Sequence, residues 1–147
     1  MAVKTIARNI VEVFKKGNKV FICGNGGSST QASHFANEFL GKYKKERRSL
    51  PAIALNDPGL ITAIGNDFGF KFVFSRPLSA LANKGDLLIT LSTSGKSSNV
   101  NYAIQVAKSK GVQVLEWPRK GKDVGDIQNY QLKLMHDVVE EVEKEFE

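Results

Sequence analysis

Twice in this chain a short apolar run stops at a turn crowded with small residues and continues in a helical pattern. Lys19-Val-Phe-Ile-Cys23 runs into Gly24-Asn25-Gly26-Gly27-Ser28-Ser29, and Asp86-Leu-Leu-Ile-Thr-Leu91 runs into Ser92-Thr93-Ser94-Gly95-Lys96-Ser97-Ser98. Apolar runs of this length, bounded by turn residues, read as buried strands. Strands alternating with helices imply right-handed crossovers and a parallel sheet covered on both faces. The expected fold is therefore α/β, a three-layer sandwich with four to five parallel strands and helices on both sides. In such folds ligands bind beyond the carboxyl ends of the strands, where the strand order switches. Both small-residue turns belong to that edge.

The remaining elements follow from periodicity. Val3, Ile6, Ala7, Ile10, Val11 and Phe14 repeat at helical spacing until Gly17-Asn18. A helix is predicted from about Ser29 to Lys44, a strand at 52–55, and a short helix capped by Asp57 with Pro58 in its first position. Another helix is expected after Phe70–Phe74, with Pro77 near its first turn. Asn99 to Lys110 reads as a helix, Val112 to Trp117 as a fourth strand, and the stretch from Asp126 or Ile127 as a closing helix. No repeat or interdomain linker divides the 147 residues, so one domain is expected over 1–147.

Composition narrows the class. Hydrophobic residues make up 41% and charged residues 24%, ordinary values for a globular domain. No apolar run approaches the roughly 18–20 residues of a membrane span, and the first residues show no signal-peptide core; a cytoplasmic location is expected. Cys23, the single cysteine, ends an apolar strand and is expected to be a buried thiol. The net charge of +6 is uneven: Lys42, Lys44, Lys45, Arg47 and Arg48 crowd one stretch, and the tail from Glu140 to Glu147 is mostly acidic. The basic run reads as a solvated helix end or as a phosphate-steering patch. Nucleic-acid binding is disfavoured, because Tyr43 alone stands among the basic residues and aromatics are not interleaved with them as stacking platforms would require.

The two turns have the chemistry of an anion site. Gly24-x-Gly26-x-x-Ser29 is neither a P-loop nor a dinucleotide fingerprint. Its glycines nevertheless let backbone N–H groups converge at a helix N-terminus. Ser92, Thr93, Ser94 and Ser97 put four hydroxyls beside a second helix start. Hydroxyls and amides with no arginine among them suit a sugar phosphate that must be released. His34 and Glu38 are four residues apart and share a helix face. His136 lies eight residues after Gln128, about 12 Å along a helix axis and about 80° around it. Gln128 and His136 could meet a single ion with His34 and Glu38 only if both side chains reached inward from opposite ends or if subunits shared the site. Such a set would suit zinc, although Gln is an unusual ligand.

In combination these residues resemble the SIS (sugar isomerase) domain, and within it the phosphoheptose isomerase family. The resemblance is carried by Cys23-Gly-Asn-Gly-Gly-Ser28, His34-Phe-Ala-x-Glu38, Asn66-Asp-Phe-Gly-Phe70 with Phe74-Ser-Arg76, Ser92-Thr-Ser-Gly-x-Ser97 with Asn99-Val100, and Gln128 followed by His136. It implies an aldose–ketose isomerase acting on sedoheptulose 7-phosphate through an enediol(ate), in a homo-oligomer. By the same resemblance Ser28, Ser92, Thr93, Ser94 and Ser97 would hold phosphate and nearby hydroxyls. Asn25, Gly26, Gly27, Asn66 and Asp67 would line the sugar, with Lys42 and Gln128 also on the substrate side. His34, Glu38, Gln128 and His136 would bind zinc, and Glu38 and His136 would be the acid–base pair.

The chain departs from that family in places. Lys42 stands where the family usually has Arg, a point charge in place of a bidentate fork. Asn37 and Asn129 replace common glutamates. The family usually has a further loop and strand before the Gln/His helix, whereas here Glu116-Trp117-Pro118 leads almost directly to it. The shortening favours a rival reading, a non-catalytic SIS module that binds sugar phosphates or a partner protein such as a replication initiator. Retention of Glu38 and His136 argues against that rival.

Overall fold

The computed structural model describes residues 3–147. In chain order the elements are α1 (Val3–Lys15), β1 (Val20–Cys23), α2 (Gly27–Leu40), β2 (Ala52–Ala54), α3 (Pro58–Asp67), a 3-10 turn (Phe70–Phe72), α4 (Ser75–Leu81), β3 (Leu87–Thr90), α5 (Ser98–Ser109), β4 (Gln113–Glu116) and α6 (Val124–Glu143). All strand pairs are parallel, in the order β2-β1-β3-β4. The sheet has four strands, and no fifth follows β4 among the described residues.

Alternation along each strand divides the core in two. Val20, Ile22, Leu87 and Ile89 point to one face, where Ile10 and Phe14 of α1, Phe35 and Phe39 of α2 and Val138 and Val142 of α6 cover them. Phe21, Cys23 and Leu88 point to the other, beneath Ile64, Leu78, Val100 and Ala103 of α3, α4 and α5. Burial pushes the Cys23 thiol up to about 12, as expected of an inert core cysteine.

The switch in strand order falls between β1 and β3, where Cys23 pairs with Thr90. The Gly24–Ser29 and Ser92–Ser98 turns therefore leave adjacent strands side by side.

Several boundaries differ from the sequence expectation by a residue or more, and two of the shifts have a visible cause. The helix expected to reach Lys44 ends at Leu40. Its last carbonyls leave the helical ladder because Arg47 donates to the carbonyls of Glu38, Phe39 and Gly41, and Ser49 Oγ donates to that of Leu40. The closing helix starts two or three residues early, at Val124, because Asp123 caps it by accepting from Asp126 N–H at 2.8 Å.

Trp117 explains how the chain reaches α6 without another strand. The indole is buried, stands edge-on to Phe35 of α2 with centroids 5.0 Å apart, and donates to the Gln131 carbonyl of α6 at 3.1 Å. That anchor sets α6 directly beside α2.

Candidate active site

The two turns are tied to each other by amides. Asn25 Nδ2 donates to Asn99 Oδ1, and Asn99 Nδ2 donates back to Asn25 Oδ1, both at 2.9 Å. Gly24 makes the approach possible: a Cβ there would lie 2.6 Å from the Leu91 carbonyl oxygen and 2.7 Å from Ser28 Cβ. Asn25, Ser28, Leu91, Ser92, Thr93, Ser94 and Ser97 line one small cavity between the turns. Ser92 Oγ accepts from Gly95 N–H and Ser94 Oγ from Lys96 N–H, so both hydroxyls stiffen their own turn.

Helix capping distinguishes α2 and α5 from α3 and α6. Asp57 caps α3 and Asp123 caps α6 with side-chain oxygens. Neither Gly26 at the start of α2 nor Ser97 at the start of α5 does so. In α2 the N–H groups of Ser28 and Ser29 already donate to the Asn25 and Gly26 carbonyls, so what both helices present beside the cavity is the positive end of the dipole, with no side-chain cap over it. Such a cradle holds an anion.

A guanidinium also reaches this turn. A Cβ on Gly95 would lie 2.7 Å from Arg119 Cζ, so the exposed Arg119 packs flat against the serine turn. The motif itself contains no arginine, and the residue comes from the stretch after β4. Sequence spacing offered no signal for it.

Helices α2 and α6 run parallel, and their residues meet in order. Gln31 Nε2 donates to the Gln128 carbonyl at 3.0 Å, and the Gln128 amide lies over Gly27. Farther along, His34 Nε2 is 2.8 Å from Glu38 Oε1, and His136 Nε2 is 3.5 Å from His34 Nε2 and 3.9 Å from Glu38 Oε1. Both histidines and Glu38 therefore converge within one chain.

One ligand atom from each of the three lies within 4.8 Å of the others. Tetrahedral zinc with bonds of about 2.0–2.2 Å separates neighbouring ligand atoms by about 3.4 Å. The observed separations bracket that spacing, and two imidazoles with a carboxylate are a zinc-type donor set. The residues fit the ion. Gln128 sits at the level of Gly27, two helical turns before His136, so its amide belongs with the glycine turn.

The other predicted residues are placed apart. Gly26 and Gly27 form the exposed bend opening α2. Lys42 lies beyond the end of α2, exposed to solvent. Asn66 and Asp67 end α3 on the opposite face of the sheet, exposed, with Asn66 Nδ2 3.2 Å from Asp67 Oδ1. They do not line the cavity within this chain.

The basic run and the acidic tail face each other. Lys44 pairs with Glu140 at 3.1 Å, Lys45 with Glu147 at 3.7 Å, and Arg48 lies over the Phe146 ring. Arg47 and Glu143 form a buried pair at 3.0 Å. The run is thus largely answered by the tail, and Arg47 is a structural residue that periodicity alone did not single out.

Residues 1–115 match the SIS domain family. The phosphoheptose isomerase of Fusobacterium nucleatum is 39% identical over 155 positions, spanning 95% of this chain and 80% of that protein. The chain belongs to the phosphoheptose isomerase family of SIS domains. A second member of that family, from Campylobacter concisus, is 56% identical over 113 residues, and the match spans 76% of this chain but 60% of the relative. The structures of the phosphoheptose isomerases of Neisseria gonorrhoeae and Francisella tularensis superpose with TM-scores of 0.88 and 0.92, at 30% and 29% identity. Each match covers 97% of this chain and 85% of the other. The Fusobacterium alignment is longer than the 147-residue chain, so that isomerase carries residues this member of the family lacks.

Proposed function

We propose that this chain is a phosphoheptose isomerase that interconverts sedoheptulose 7-phosphate and D-glycero-D-manno-heptose 7-phosphate. The observation that carries the reading is the convergence of His136 of α6 on His34 and Glu38 of α2, the helix whose N-terminus opens onto the anion cradle. Ser28 and His34 are six residues apart on α2, about 9 Å along its axis. That span is comparable with an extended seven-carbon chain whose phosphate sits at the turns.

In this reading the uncapped N-termini of α2 and α5, with Ser28, Ser92, Thr93, Ser94 and Ser97, hold the phosphate. Asn25, Gly26, Gly27 and Gln128 line the sugar. Glu38 takes the proton from the carbon beside the carbonyl and returns it to the neighbouring carbon. His136 moves protons at the two sugar oxygens, so the enediol(ate) forms and collapses without free charge. Zinc held by His34, Glu38 and His136 would supply Lewis-acid stabilisation of charge on those oxygens.

Self-association belongs to the same proposal. Leu60, Phe68 and Phe70 are 41%, 50% and 61% exposed beside Asn66 and Asp67. A second copy covering these rings would bring Asn66 and Asp67 toward a sugar, and light scattering after Phe70→Asp tests for loss of the oligomer. A cytoplasmic location suits a phosphorylated-sugar substrate, and no helix among the described residues is long and apolar enough to cross a membrane.

The deciding assay incubates the protein with sedoheptulose 7-phosphate, with and without zinc, and follows aldose formation. Glu38→Gln and His136→Ala are each expected to lose about 100-fold or more. Absent turnover with phosphosugar binding intact would leave the non-catalytic module.

A further inference from the structure

The segment between α2 and β2 is clamped to α6 by one buried carboxylate. Glu143 accepts the backbone N–H groups of Tyr43, Lys44 and Lys45 at 2.9, 2.8 and 3.1 Å, and pairs with Arg47 Nη2 at 3.0 Å. Arg47 in turn holds the last carbonyls of α2, including that of Glu38. Both charged groups are buried, with side chains 0% and 1% exposed. The ends of the two helices that carry His34, Glu38 and His136 are therefore joined through this pair.

The clamp has a consequence for one ring. Tyr43, whose N–H Glu143 holds, stacks on the His136 imidazole with centroids 5.1 Å apart and planes 12° apart. His34 meets the same imidazole edge-on, with centroids 5.1 Å apart and planes 71° apart. His136 and Glu143 are seven residues apart on α6, nearly two full turns, and so share one face.

Resting on the isomerase reading above, we propose that Tyr43 is a positioning residue: its ring fixes the plane of His136 so that Nε2 faces His34 and Glu38. A histidine on a helix can rotate about two side-chain bonds, and a ring stacked on its face together with the edge-on His34 removes most of that freedom. Groups that orient a ligand in this way typically set metal affinity or activity by 10–100-fold. The contact is made by the ring face, so phenylalanine should preserve it.

Three measurements on Tyr43→Phe and Tyr43→Leu test this. Thermal melting establishes that both fold. In the metal-free protein, the His136 ring protons should carry an upfield ring-current shift that survives in Tyr43→Phe and disappears in Tyr43→Leu. Titration with zinc alone should give wild-type affinity for Tyr43→Phe and about 10- to 100-fold weaker binding for Tyr43→Leu. With sedoheptulose 7-phosphate, kcat should fall similarly for Tyr43→Leu while KM changes little, because the phosphate cradle is untouched. An active wild type whose Tyr43→Leu variant keeps its zinc affinity and kcat overturns the positioning role. A wild type that neither binds zinc nor turns over overturns the isomerase reading instead, while the ring-current shift still reports whether the stack exists.

Discussion

His136 Nε2 stands 3.5 Å from His34 Nε2, across 102 residues of sequence and the seam between two parallel helices. The Glu38 carboxylate lies beside both. A cation placed among them relieves the crowding of three donors, so His34→Ala should weaken zinc binding by at least about tenfold. Chelation should abolish turnover and added zinc restore it. Calorimetry with zinc and the isomerase assay check both outcomes.

The reciprocal amides of Asn25 and Asn99 bind the two turns into one cradle. Asn99 is buried, and its removal leaves Asn25 without its partner. Asn99→Ala should cost about 1–3 kcal/mol and loosen inorganic phosphate binding, read by denaturant unfolding and by calorimetry. Unchanged phosphate affinity in a destabilised variant would place the pair outside the anion site.

Gly24 has no room for a side chain, since the closest obstacle is the Leu91 backbone carbonyl at 2.6 Å from the added carbon. Gly24→Ala should push β1 and β3 apart at their ends, costing about 1–3 kcal/mol and most of the phosphate affinity. A variant that melts and binds like the wild type would contradict this packing.

Arg119 lies against Gly95 from outside the serine motif. One exposed cation beside a bound phosphate contributes about 1 kcal/mol, so Arg119→Ala should weaken inorganic phosphate binding by about fivefold. The wild-type affinity should also fall more steeply with salt than the variant's.

Glu143 gives the fold an acid limit. Burial alone would raise its pKa, but the N–H groups of Tyr43, Lys44 and Lys45 and the Arg47 charge outweigh burial and hold it below the usual value. Asp86 is also lowered: burial opposes ionisation, and Asn83, Lys19 and Asn18 more than offset it. A depressed carboxyl stabilises the native state fully above the unfolded pKa of about 4. That contribution is lost as pH falls through the lower folded value. Urea midpoints should hold from pH 7 to 5 and drop steeply below 4. Glu143→Gln, which strands Arg47, should cost about 3–5 kcal/mol at pH 7 and flatten the acid limb.

Much of this was legible in the residues. Short apolar runs bounded by turn residues and period-3.6 patterns are local, so strands 20–23, 87–90 and 113–116 and the helices between them follow from them. The anion turns were readable for the same reason: glycine, serine and the following helix act within a few residues. Helix ends were less so. The Ser29–Lys44 expectation overran because Arg47, beyond the helix, removes its last carbonyls.

Sequence by itself determined the layered parallel sheet, the two turns at its carboxyl edge and the His34/Glu38 pair, since each depends on neighbours within a turn or a strand. Only tertiary structure decided that His136 joins that pair. Trp117, wedged against Phe35 and hydrogen-bonded to Gln131, lands α6 parallel to α2 without a further strand. Glu143 and Arg47 then hold the far ends of both helices together. The remaining roles, Tyr43 on His136 and Arg119 on Gly95, arise from packing between segments far apart in the chain, and no local spacing encodes such contacts.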